Sequence, residues 1–329
     1  LGAEAAAVEI PFELDSHRLQ SLLPRLPQTG SEERRAAALV DFLVGDLELR
    51  YRATPTGSAA QVLESRSANC LSFVNVFVAL ARAIRLPAFY VEVEDAQTWN
   101  VVSGTVVSRG HIVAGLHLGG SLRTYDFLPE RRSFRRFRPI EDRLATAHFL
   151  NNLGAEALLA GDVETGCQQV ERAVRVAPEF ARGWNNVGVC RQRRGDLEGA
   201  KAALLEGLRR APEDPPLLTN LLRLYQLSGA TEEALKLAKR LEALKVDHPL
   251  FYLFLAEEAL MQAEAPRALE LAREAYRRAS ELPEVHLLLA RIYLALGDPE
   301  RARHHLARVL QLDATHREAK RLLEALSSG

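Results

Sequence analysis

Residues 63–93 read LESRSANCLSFVNVFVALARAIRLPAFYVEV, and two periodicities meet in them. From Leu71 to Ile84 apolar residues recur almost all round a helical wheel, which marks a helix buried on every side of a compact domain. Pro87 stops that helix because it has no N–H to donate, and AFYVEV then alternates as a strand does. Cys70 falls where a loop feeds the first turn of the helix. Unsatisfied N–H groups and the helix dipole at such a position favour the thiolate, the form that attacks.

Upstream, Ser31 to Leu49 reads as an amphipathic helix with Ser31 as N-cap, and Ser58 to Ser65 as a short second helix. Downstream, NVVSGTVVSRGHIVAGLHL (100–118) reads as one or two strands broken near Arg109-Gly110, and LRTYDFL (122–128) as another strand after the Gly119-Gly120 turn. Helices first and an antiparallel meander after them predict an α+β core. A thiolate still needs an imidazole to carry a proton and a polar group to orient that imidazole. A hairpin turning between Gly119 and Gly120 puts His111 roughly opposite Leu128, with Asp126 a diagonal neighbour on the same face. His117, six residues along the same strand face, competes as the base. Asn69 and the Cys70 N–H are candidate oxyanion donors, with Asn75 behind them, and Trp99 either roofs the cleft or simply packs at a strand edge.

The helix-initiating Cys in residues 63–93, GHI at 110–112 and YDFLP at 125–129 together resemble the transglutaminase-like superfamily, whose papain-related core uses a Cys-His-Asp triad. The resemblance spans about Leu39 to Pro129. It implies Cys70 as nucleophile, His111 as general acid and base and Asp126 as orienting carboxylate. It also implies thiol-dependent acyl transfer through a thioester, by a cysteine peptidase, amidase or transamidase, with no cofactor. The chain departs from the family pattern in Ala68-Asn69, in Leu71, in Ile112-Val113-Ala114 and in Arg85, which stands where a turn glycine is usual.

The second half is periodic. Turn positions recur every 34 residues at Gly161, Gly195, Gly229, Ala263 and Gly297. Ala200, Ala234, Ala268 and Ala302 keep the same spacing, as do Pro178 and Pro212. Gly154, Gly188, Ala256 and Ala290 mark the close-packed position of each first helix, with Leu222 the exception. Each unit is a helix hairpin whose small residues let two helices approach. From about Arg143 to Gly329 this resembles the tetratricopeptide (TPR) family, read as five repeats with His316 to Leu326 as a capping helix, so the expected architecture is an α+β papain-like core followed by an all-α TPR superhelix. The expected domains are an extension at 1–30, the transglutaminase-like domain at 31–140 and the repeats at 141–329. The whole resembles bacterial proteins that fuse the two. First-helix residues Asn185, Asn186, Arg193, Asn220, Arg223 and Tyr252 are expected to line a concave face that binds a peptide or protein substrate. Five arginines within 131–138 read as an interdomain clamp on acidic groups or a site for an anionic substrate.

The 329 residues carry 42 Lys plus Arg against 43 Asp plus Glu, a net charge of -1 that gives no sequence-wide pull toward nucleic acid or anionic membrane. No apolar run approaches the roughly 18 to 20 residues needed to span a bilayer. Three cysteines form no metal knuckle, and adjacent His304-His305 point about 100° apart, so no metal is expected. Cys167 and Cys190 are expected to pack between the first two repeats, bonded only in an oxidising compartment. The opening Leu1 and the Ala-rich stretch after it leave the compartment open, with export favoured over the cytoplasm. Two functions remain: a thiol acyl-transfer enzyme, or a scaffold that has kept the core and lost its chemistry.

Overall fold

The computed structural model describes residues 10–102, 105–128, 134–244 and 249–327, with the backbone alone at 95–99, 101–102, 250 and 327. The first helices are α1 (Ser16–Leu22), α2 (Glu32–Asp41), α3 (Ala59–Ser65) and α4 (Cys70–Ala83). Ser31 caps α2, which runs on into a π turn at Phe42–Asp46, and Ser58 caps α3 in a reciprocal box with Gln61. Helix α4 is buried on all sides as its composition requires, with Leu71, Phe73, Val74, Val76, Phe77, Val78, Leu80 and Ala81 in the core. It ends with Arg85 in the left-handed region at φ 61°. The residues before α2 pack on this core through Phe12, Leu14, Leu19 and Leu26.

Strands β1 (Arg50–Tyr51) and β2 (Ser67–Ala68) form a small parallel pair. The main sheet is antiparallel in the order β5-β4-β3-β6, from β3 (Phe89–Val102), β4 (Thr105–Leu118), β5 (Ser121–Tyr125) and β6 (Phe137–Ile140). The Gly119-Gly120 turn has positive φ at both glycines and sets Leu118 opposite Ser121, the expected register. One expectation changes, since β4 runs unbroken through Arg109-Gly110. The end of the arginine-rich stretch also supplies the edge strand β6.

Ten helices follow: α5 (Asp142–Ala160), α6 (Val163–Val176), α7 (Ala181–Arg193), α8 (Leu197–Arg210), α9 (Pro215–Leu227), α10 (Thr231–Ala243), α11 (Pro249–Met261), α12 (Ala265–Arg278), α13 (Pro283–Ala295) and α14 (Pro299–Leu312), closed by α15 (Arg317–Ser327). The 34-residue turn column is a column of left-handed residues, because each first helix that it terminates needs positive φ there: Gly161, Gly195, Gly229, Ala263 and Gly297 have φ from 61° to 87°. Gly154 lets α5 meet α6, since a Cβ there would lie 2.5 Å from Val170. Cys167 of α6 and Cys190 of α7 form a disulfide with a Cα–Cα distance of 5.4 Å, where packed thiols were the first expectation.

The chain divides after Leu227 into two compact units. The first unites the α+β core with α5 to α9. Helix α5 is pinned to α4 by a two-pronged Arg82–Asp142 ion pair at 2.6 and 2.8 Å. The second unit holds α10 to α15, with its own core of Ala256, Ala268, Ala272, Leu288, Ile292 and Leu306 among others. Among the described residues no helix is long and apolar enough to cross a membrane.

Candidate active site

Helix α4 begins at the nucleophile position because Asn69 caps it, its Oδ1 accepting from the Ser72 N–H at 2.9 Å and from the Ser72 hydroxyl at 2.8 Å. The Asn69 amide donates to Thr56 Oγ1 at 2.6 Å, and that hydroxyl donates to Glu156 of α5 at 2.7 Å. Asn69 is therefore buried and committed to holding the helix start, not turned toward an oxyanion as anticipated. Asn75 is likewise spent, donating to Gly57 O and accepting from Tyr90 Oη at 3.0 Å. Cys70 follows Asn69, half-buried and in the reduced state.

His111 of β4 lies close enough to Cys70 for the thiol to act on the imidazole's pKa. Its Nε2 meets Asp126 Oδ2 at 2.9 Å, so Nδ1 is the ring nitrogen not engaged by Asp126. Asp126 stands one residue beyond β5 and not within it, held by the Leu128 N–H on its other oxygen at 3.0 Å. Burial alone would depress the imidazole's pKa. The hydrogen bonds to Asp126 and Cys70 and their negative charge outweigh it, so His111 is raised to about 9. The imidazole also lies against the Phe134 ring at 5.3 Å. His117 is exposed and stacked on Phe89 at 5.0 Å, away from this group. The Trp99 side chain, like Arg131 and Arg132, lies outside the described residues.

Beside the first turn of α4 opens a cleft of about 560 Å³ lined by Arg50, Arg52, Arg66, Thr56, Gly57 and Ser67, among others. Arg66 donates to Leu47 O, whereas Arg50 and Arg52 are exposed.

Behind His111 the repeats press on the strand. At Gly110 a Cβ would fall 2.9 Å from His148 of α5 and 3.0 Å from Arg182 of α7, so only glycine permits the approach. Buried Glu92 of β3 is paired with Arg182 and Arg138, and His148 lies 3.6 Å away. Burial pushes the Glu92 carboxyl up, but the charges of His148, Arg182 and Arg138 hold it at about 2. His148, wholly enclosed, is pushed down to about 4 by burial, with Glu92 opposing and the two guanidiniums assisting. Arg138 also reaches Glu94 at 3.3 Å, so this last arginine of the run clamps acidic groups within the chain. This cluster was not foreseen, although a charged Glu92 on the same strand face as Tyr90 was the available signal.

Three of the six expected peptide-binding residues, Asn185, Asn186 and Asn220, bind the chain's own strand β4. Asn220 accepts from the Val106 N–H and donates to Val106 O, both at 2.8 Å. Asn186 does the same for Ser108, at 2.9 Å each way, and Asn185 donates to Val106 O. Asn151, which sequence reasoning passed over, donates to Ser108 O at 3.1 Å. The correction is physical: the β4 edge beyond the reach of β5 has unpaired N–H and C=O groups, and carboxamides of the first helices fill that need. Arg193 donates to Leu158 O at 2.6 Å, and Arg223 is half-buried on α9. Tyr252, in the second unit, lies under Arg278 at 4.3 Å. There, too, His305 faces His286 at 2.9 Å instead of joining His304. Among the described residues no three His, Cys, Asp or Glu side chains are grouped to hold a metal ion.

A model of the transglutaminase-like superfamily matches residues 22–121, the segment that holds α2 to α4 and β4, and a tetratricopeptide-repeat model matches 259–326. This chain joins a transglutaminase-like domain to TPR repeats. Two curated proteins of Pseudomonas aeruginosa are similar to it. The TPR repeat-containing protein PA0015 is 41% identical over 59 residues, 18% of this chain and 56% of its own. The TPR repeat-containing protein PA4299 is 34% identical over 92 residues, 28% of this chain and 38% of its own. The chain thus spans about half or less of these relatives. Among solved structures, Pseudomonas aeruginosa pilF gives a TM-score of 0.49 at 17% identity, covering 57% of this chain and 86% of that one. A TPR protein of Thermus thermophilus gives 0.48 at 19% identity, covering 55% and 98%.

Proposed function

We propose that the transglutaminase-like domain is a thiol-dependent acyl-transfer enzyme, a cysteine peptidase, amidase or transamidase acting on a peptide or protein amide through a thioester on Cys70. The observation that carries this reading is the His111–Asp126 pair at 2.9 Å, set beside the Cys70 thiol at the start of α4. In it, the Cys70 thiolate attacks the amide carbonyl carbon, and the tetrahedral oxyanion is met by first-turn N–H groups, that of Cys70 foremost. As the C–N bond breaks, the His111 imidazolium passes its proton to the leaving amine, and the thioester remains. Water or an incoming amine then attacks the thioester carbonyl and gives up a proton to His111, the C–S bond breaks to release the acyl product, and the thiolate–imidazolium pair is restored. Asp126 keeps Nε2–H in place and favours the imidazolium. The exposed Arg50 and Arg52, in the cleft on the Thr56 side of the α4 start, would favour substrates that carry acidic residues at a distance from the amide. Partners of the repeats would engage surfaces other than Asn185, Asn186 and Asn220, which β4 occupies.

The test is to incubate the protein with a short activated acyl ester, quench in acid and weigh the intact chain. A mass increase of one acyl group, mapped to Cys70 and lost in Cys70→Ala, supports the enzyme. No adduct, together with equal iodoacetamide labelling of Cys70 and of a thiol in the unfolded chain, returns the domain to the scaffold alternative.

A further inference from the structure

We propose that Asn186 and Asn220, on the repeat helices α7 and α9, are positioning residues for His111, acting through the backbone of β4. This rests on the acyl-transfer reading of the site and adds to it a task for the repeats: they set the aim of the imidazole.

The argument begins with the two edges of β4. On one edge β5 pairs with Ala114 through Leu118 and stops. On the same edge Val106 and Ser108 are held by asparagine carboxamides. His111 lies between the two holds, and its lateral anchor is the side-chain bond to Asp126. On the opposite edge β3 pairs, but its register breaks beside the histidine: Val93 faces His111 and Gln97 faces Gly110. Three residues of β3 therefore have no counterpart, and a bulge of this kind bends the strand and loosens its ladder. Regular pairing on the β3 side cannot by itself fix how the arm from Thr105 to Gly110 is aimed relative to His111.

The asparagines can. A carboxamide carries the same donor and acceptor as a peptide group, so Asn186 and Asn220 each satisfy both groups of one residue, as a neighbouring strand would. Their amides are joined to one another: Asn220 donates to Asn185 Oδ1 at 2.8 Å, Asn185 to Asn186 Oδ1 at 3.0 Å, and Asn186 to Asn151 Oδ1 at 2.8 Å. All four are buried, so the network is dry and has one low-energy arrangement. The column advances with the repeat, since Asn186 and Asn220 are 34 residues apart. It grips alternate residues of the strand, those whose N–H and C=O face away from β3.

The experiment is the pH profile of Cys70 alkylation by iodoacetamide, which needs no substrate, in the full chain and in Asn186→Ala, Asn220→Ala and His111→Ala, each checked for folding by circular dichroism. An imidazolium aimed at the sulfur favours attack by it, so the parent is expected to react faster than His111→Ala at pH 6.5, with the gap narrowing at pH 9.5. His111→Ala rises with pH like a simple thiol. The expected result is that Asn186→Ala loses about tenfold at pH 6.5 and little at pH 9.5, and Asn220→Ala, whose grip is two residues more distant, about threefold. A purely structural role would lower the melting temperature and leave the profile on that of the parent, and this would overturn the proposal. If Asn186→Ala does not fold, Asn220→Ala decides alone. If His111→Ala itself follows the parent, the thiol-imidazole reading fails and the positioning role goes with it.

Discussion

Asn186 closes both main-chain groups of Ser108, accepting from its N–H and donating to its C=O at 2.9 Å each, across 78 residues of sequence. Three residues further along the same strand stands His111. The helices α5, α7 and α9 and the candidate catalytic strand are thus one structure, and substitutions on either side should be felt on the other.

Asp126→Asn should lower turnover of an activated ester by about 10²- to 10⁴-fold with the fold intact, because a neutral amide no longer favours the imidazolium or the productive tautomer. His111→Ala should abolish turnover, and exposed His117→Ala should leave it within about twofold of the parent. Steady-state kinetics on the three variants check this. An inactive His117→Ala with an active His111→Ala would reverse the assignment of the base.

Stability should decline at both ends of the pH scale for identifiable reasons. His111 has its folded pKa raised from 6.5 to about 9, so its contribution is complete below about 6.5 and is lost as pH rises through about 9. Glu92 is lowered from 4.5 to about 2, so its contribution is complete above about 4.5 and is lost as pH falls toward 2. His148, lowered to about 4, acts in the same sense, because the unfolded chain takes up its proton first. Thermal melts from pH 3 to 10 should show a plateau between. Asp126→Asn should flatten the alkaline limb and leave the acid limb alone, and an unchanged alkaline limb would contradict the origin given for it.

Gly110→Ala places a methyl where His148 and Arg182 already lie, and should cost about 1 to 3 kcal/mol of stability. Urea unfolding measures the loss. Equal stability would mean that α5 and α7 can retreat from β4 without penalty.

Arg50→Glu with Arg52→Glu should raise KM for peptides bearing acidic residues by about tenfold and leave neutral peptides nearly unchanged, since the cleft beside α4 then repels what it attracted. Equal effects on both peptide classes would remove the cleft from the substrate path.

Ala263 holds φ 61° at a column position that glycine fills in the other four repeats. Ala263→Gly should relieve that strain and stabilise the second unit by about 1 kcal/mol. A lower melting temperature would show that the methyl group makes a contact worth more than the strain.

Much of this was legible in the chain because it depends on local chemistry. The start of α4 follows from a cap residue and an apolar run, the β4–β5 register from two adjacent glycines, and the helix hairpins from small residues at a fixed period. What was not legible arises from side chains far apart in sequence. Gly110 reads as a break in a strand, and its reason, the approach of His148 and Arg182, lies 38 and 72 residues away in another architecture. The spacing of Asn186 and Asn220 was visible, but a polar column on a repeat helix points equally to a foreign peptide and to a strand of the same chain. The alternation over 122–128 puts Asp126 within a strand, whereas it stands one residue beyond β5, because hydropathy alternation does not show where hydrogen bonding ends.

The bond between Val106 and Asn220 spans 114 residues, and this has a consequence for biosynthesis. At a translation rate of roughly 5 to 20 residues per second, the outer edge of β4 leaves the ribosome about 6 to 23 s before the asparagine that covers it. During that interval the nascent core presents an open strand edge, the feature by which partly made chains adhere to one another. Codon usage or a chaperone that shortens or shields this interval should therefore govern the yield of native protein more strongly than the stability of either unit once made.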